Sequence, residues 1–220
     1  MQSPLMQTDW ASENLQVIRT LMERSAVYRR ALAPVMGLVG ATGIAAGVLG
    51  AALDFKTSRP FVAYWVVVAM VCLSEAFLLI RRQAVKAVEP FWSPPTRRVA
   101  QAVAPAFFVG LVVAIVFFMM NTTPVDGIVL LLVPIWMVLY GLAMHAAGFF
   151  MPRGVRLFGW GYIVAGLPGI VYCLFHLMSE VTDAEFPFMD SNIAMGAVFG
   201  GGHAAYGLYL FFTEKRGNVA

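Results

Sequence analysis

The sequence predicts an all-α polytopic membrane protein, with six transmembrane helices in one bundle behind an N-terminal amphipathic helix. Three observations predict it. Apolar residues make up 60% of the 220-residue chain and charged residues only 12%, against about 45–50% and about 25% in soluble domains. The apolar residues gather into six long runs, each near the roughly 20 residues a helix needs to cross a hydrocarbon core. Of the 15 Lys and Arg residues, only Lys56 and Arg59 fall on links assigned to the outer side, and the alternation holds across every link.

Residues 1–30 form the first unit, a cytoplasmic arm. Its stretch "SENLQVIRTLMERSAVYRR", 12–30, carries Leu15, Ile18, Leu21 and Met22 at helical spacing, with Arg19 and Glu23 as an i, i+4 pair on the other face. Four arginines favour anionic headgroups at the inner leaflet. The arm is read as a basic anchor or as a docking surface for a membrane or cytoplasmic protein partner. No cleavable leader is read here, since the first 30 residues are polar and the first apolar run is too long for an h-region.

The transmembrane domain is placed at 31–212, with spans at 31–53, 61–80, 99–120, 128–150, 157–178 and 192–212 and a cytoplasmic tail at 213–220. The runs lack the period-2 alternation of barrel strands, and in lipid a lone helix satisfies its own backbone. Short links such as "DFKTSRP" and "NTTPVDG" make neighbouring spans antiparallel hairpins. The longest inner link, 81–98, contains "PFWSPPT", where prolines stop a helix and Phe91 and Trp92 belong at headgroup level. Pro105, Pro134 and Pro168 are expected to kink spans three, four and five, with "GLPG" at 166–169 as a hinge. With the lipid bilayer as the surroundings, the location is a cell inner membrane, multi-pass, with both termini cytoplasmic.

Ionisable residues inside spans are expensive and mark functional candidates. They are Glu75, His145, His203 and, near the outer surface, His176. Spans two, four and six run in the same direction. Glu75 and His145 each lie five residues before the end of their span and His203 nine before its own, so His203 is roughly 6 Å further out. Tyr140 and Tyr206 join these three as candidate ligand-binding residues. An ionised Glu75 alone would cost roughly 3 kcal/mol or more. It must meet a histidine, meet Arg82, or carry a proton. In "GGGHAAYG", 200–207, Gly200, Gly201, Gly202, Ala204 and Ala205 are expected to form a tight packing surface that wedges His203 between helices.

Several chemistries find no motif. There is no HExxH, no GxGxxG after a strand and no Walker loop. Cys72 and Cys173 lie far apart, without CxxC spacing. A rhomboid-type protease would need a serine on span four, which has none. No soluble domain exists for nucleotide or nucleic-acid chemistry. The first functional reading is a non-enzymatic protein that binds a partner or a small apolar ligand in its inner half, as a sensor, regulator or accessory subunit. A second is a redox protein, with His145 and His203 as axial ligands of haem b or, with Glu75, lining a quinone pocket. A third is a proton-coupled carrier using Glu75, against which stands the lack of inverted repeats. No motif assigns a cofactor or a catalytic residue.

The run "YGLAMHAAGFFMPRGVRLFGWGYIVAG", 140–166, resembles a stretch found in small six-span bacterial inner-membrane proteins of no assigned activity. The resemblance implies a bacterial inner-membrane setting and no chemistry.

Overall fold

The prolines and glycines set where each helix starts and stops. The structure, a computed structural model, describes residues 32–86, 88, 90–121, 128–178 and 188–217. The expected arm at 12–30, the side chain of His176 and the end of the tail lie outside the described residues. Among the described residues every regular element is helical. In order they are α1 (Leu32–Ala52), α2 (Ser58–Lys86), α3 (Pro94–Met120), α4 (Leu132–Ala147) entered through a 3-10 turn (Ile128–Leu131), α5 (Arg153–Met178), α6 (Phe188–Met195) and α7 (Gly202–Gly217). A π-helical segment, Gly196–Gly201, joins the last two.

Five helical stretches, α1 to α5, are long and apolar enough to cross a membrane. The last run is split differently. Its π segment divides it into helices of 8 and 16 residues, each shorter than the about 20 residues one crossing takes.

Helix ends depart from the sequence-based bounds for local reasons. Pro94 and Pro95 occupy the first two positions of α3, where a missing N–H costs nothing and the fixed φ favours the helix. The residues expected only to interrupt the link thus begin α3 five positions early. α3 stops at Asn121 in the left-handed region, φ 48°, a conformation asparagine adopts readily. Pro134 sits in the first turn of α4, so it breaks no internal bond there, whereas Pro105 and Pro168 do lie inside α3 and α5. Gly166 and Gly169 of "GLPG" serve as contact points, since a Cβ at either would lie within 3.0 Å of Pro134 atoms.

The final helical run meets α1, α2, α4 and α5 at single points or along small residues. α1 lies against it backbone to backbone. A Cβ on Gly47 would meet Gly196 Cα at 2.6 Å, one on Gly43 would meet Gly200 Cα at 2.7 Å, and one on Gly207 would meet the Gly37 nitrogen at 2.8 Å. Small residues every three or four positions on both helices permit this approach, and dispersion supplies the attraction that water supplies in soluble proteins. Of the expected packing surface, Gly200 and Ala204 face α1 and Gly202 faces the Tyr162 hydroxyl, while a Cβ on Gly201 would meet nothing within 4 Å and Ala205 is exposed. The expectation was too broad because it treated three adjacent glycines as one face, although adjacent helical positions point about 100° apart.

α4 packs along α5, α3 lies against α4, and α2 lies against α3. One core cluster surrounds Phe61, Trp65, Leu132 and Met195. A smaller one at the other end joins Leu32 and Met36 of α1 to Val155 and Leu210. Outside these, large apolar side chains such as Val67, Phe108, Val164 and Phe175 are exposed, as helices facing lipid tails require.

Candidate functional site

Three polar arrangements sit within this apolar bundle. The first surrounds His203, which is 5% exposed. Its Nδ1 lies 2.5 Å from the Phe199 carbonyl and its Nε2 lies 2.5 Å from the Tyr140 hydroxyl. A carbonyl only accepts, so Nδ1 carries hydrogen; in the uncharged ring Nε2 then accepts, and Tyr140 donates. Tyr162 donates to the Val198 carbonyl at 2.8 Å. Two donors therefore hold carbonyls of the π segment from outside its own ladder. Phe158 and Phe199 enclose the group with edge-on ring contacts to Tyr140, and Tyr206 stacks on Phe158 at 4.6 Å.

The second arrangement lies one helix further round. Thr42 on α1 donates to Glu75 Oε1 on α2 at 2.8 Å, and the buried Oε2 has no hydrogen-bond partner. Glu75 thus meets neither Arg82 nor a histidine. Sequence reading missed Thr42 because a threonine in an apolar helix is unremarkable until a neighbouring helix brings a carboxyl to it. Cys72 lies one turn before Glu75 on α2.

The third is Asn192, fully buried, which accepts from Trp65 Nε1 at 2.7 Å and donates to the Gly50 carbonyl at 2.9 Å. Tyr64 donates to the Ala46 carbonyl at 2.6 Å. These bonds tie α1, α2 and α6 together. The signal was present in the sequence, since a neutral amide in an apolar run needs partners, but it carries no charge and did not draw attention.

The candidate residues therefore divide. Tyr140 and His203 are bonded, and Tyr206 touches the same aromatic group through Phe158, its own hydroxyl buried without a hydrogen-bond partner. His145 stands elsewhere, its ring 5.4 Å from both Phe149 and Trp160, with Nδ1 buried and unpartnered. The two histidine rings share no neighbour, and both nitrogens of His203 are engaged by protein. This donor set does not fit two axial ligands on one haem iron.

A groove of about 720 Å³ opens between α2, α3 and the turn that links them. Leu73, Phe77, Leu78, Phe91, Trp92 and Val99 line it, with Ser74 and Thr96 as its polar side chains. Phe77 and Phe91 meet edge to face at 4.9 Å, which braces the linking turn over α2. The groove lies on the face of α2 away from Glu75, as their spacing along the helix dictates. No protein-family model, no curated protein and no solved structure matches the chain. What fold and sites define is an all-helical protein with several helices able to cross a membrane, whose buried polar groups bind its own helices together.

Proposed function

We propose that the chain is a non-enzymatic, six-span protein of a bacterial inner membrane that receives a small apolar ligand in the groove between α2 and α3. The observation that carries the reading is the groove itself. It is volume lined by apolar and aromatic side chains, with two hydroxyls beside them. Such lining suits an aliphatic chain and offers no charge to a polar substrate. The closed hydrogen bonding of His203 argues in the same direction, since its donors and acceptors are used to hold helices.

The sixth span is the helical run 188–217 taken as one piece, its π segment an irregularity within a single crossing. The distribution of Lys and Arg supports an orientation with both termini and the groove on the cytoplasmic side. The basic, amphipathic pattern of the sequence at 12–30 supports a role as the surface where a partner protein would read the occupied or empty state. That makes the protein a sensor or accessory subunit.

The test is saturable binding of a single-chain fatty acid to the purified protein in detergent, followed by its effect on melting temperature. Ala100→Trp places an indole in the groove and should abolish the stabilisation, while Val164→Trp, on the exposed face of α5, should leave it intact. Equal binding by both variants overturns the assignment.

A further inference from the structure

The turn between α4 and α5 gathers basic and aromatic side chains that the proposed ligand groove does not use. Arg153 and Arg156 open α5, and Trp160 follows on the same face at i+7. The stem of Arg156 crosses Gly148, where any Cβ would collide with it, and its guanidinium lies 4.7 Å above the Phe149 ring. His145 stands behind that ring, 5.4 Å from it and 5.4 Å from Trp160, and holds both in place. Phe149 is 63% exposed, Trp160 50% and Leu157 73%.

Among the described residues no carboxylate pairs with this charge. No Asp or Glu occurs in the sequence between Asp126 and Glu180. Among the described residues neither arginine has a carboxylate or other hydrogen-bond partner. A guanidinium held over a ring can still donate through its N–H groups, in the fork geometry that matches a phosphate. The position is the end of one span and the start of the next, which is headgroup depth, and the exposed Leu157 and Val164 run from it along α5 toward the bilayer interior.

We propose that Arg156, over the Phe149 ring, and Arg153, one turn before it at the start of α5, bind the phosphate of an anionic phospholipid whose acyl chains lie along the exposed face of α5. Two arginines attract an anionic phosphodiester, and among the described residues no carboxylate pairs with them to receive the ammonium of a zwitterionic lipid. Gly148 and His145 are positioning residues. Gly148 leaves room for the Arg156 stem, and His145 packs against the ring beneath the guanidinium.

Native mass spectrometry of the detergent-solubilised protein with phosphatidylglycerol, phosphatidylcholine and inorganic phosphate tests this. The wild-type protein should retain phosphatidylglycerol and not the other two. Arg153→Gln/Arg156→Gln should weaken retention about 30-fold, taking the surface contribution of each arginine at about fivefold. Arg81→Gln/Arg82→Gln, which removes as much charge at the end of α2, should retain the lipid as wild type does. Arg153→Gln alone, at an exposed position, guards against loss of fold and should give an intermediate value. Equal loss in both double variants would mean general surface charge and overturn the site. Equal retention of phosphatidylcholine, or saturable binding of phosphate alone, overturns the lipid assignment.

Discussion

The hydroxyl of Tyr140 on α4 lies 2.5 Å from Nε2 of His203 on α7, and that bond closes the centre of the bundle. Tyr140→Phe leaves a buried ring nitrogen without a donor, which costs about 1–3 kcal/mol. Thermal unfolding in detergent should show that loss. His203→Leu should also destabilise, and combining the two should cost less than their sum, because the second change removes a group already left unpaired. Strict additivity would show that the pair does not interact.

Gly200 and Gly201 are neighbours with opposite expectations. A side chain at Gly200 would collide with the Gly43–Ile44 backbone, whereas one at Gly201 would meet nothing within 4 Å. Gly200→Leu should therefore abolish folded yield, and Gly201→Leu should be tolerated with little change in melting temperature. Equal sensitivity at both positions would contradict the close approach of α1 to the final helix.

Asn192 joins Trp65 to the Gly50 carbonyl at the other end of the bundle. Asn192→Leu removes both bonds and leaves two buried partners unsatisfied, a loss of roughly 2 kcal/mol or more. Trp65→Phe removes one bond and should cost about half as much. A neutral Asn192→Leu would place this residue outside the core.

Glu75 discriminates between two partners. Because Thr42 donates to it and Arg82 does not, Thr42→Val should lower stability by about 1 kcal/mol, while Arg82→Gln should change it by less than about 0.5 kcal/mol. The reverse order would show that the carboxyl reaches the inner surface. Differential scanning fluorimetry on the two variants measures the difference.

The six-span count and the orientation make a separate prediction. Reporter fusions at Asn121 and Asp183 should behave as periplasmic, and those at Val88 and Asn218 as cytoplasmic. One reversed reporter breaks the alternation.

Helical class and the positions of α1 to α5 were legible because apolar run length and charge alternation are properties of the chain taken alone. Pro94 and Pro95 misled about where α3 begins, since a proline that ends one helix equally well starts another. Contacts between helices were less legible. The pairing of Tyr140 with His203 places two of the candidate residues together, but depth along the membrane could not separate His145 from them. Tyr140 and His145 are five residues apart and so point about 140° apart on α4. Thr42, Asn192 and the groove at Leu73–Ala100 arise from which helix lies beside which, and periodicity within one helix does not encode that.

The ligand groove is the central claim, and site mapping with a photoreactive fatty acid tests it most directly. A diazirine-bearing chain should label the segments 73–80 and 91–100, compete with the unmodified fatty acid, and lose its adducts in Ala100→Trp. Adducts spread evenly over lipid-facing residues such as Phe108 and Val164, unaffected by the competitor, would contradict it.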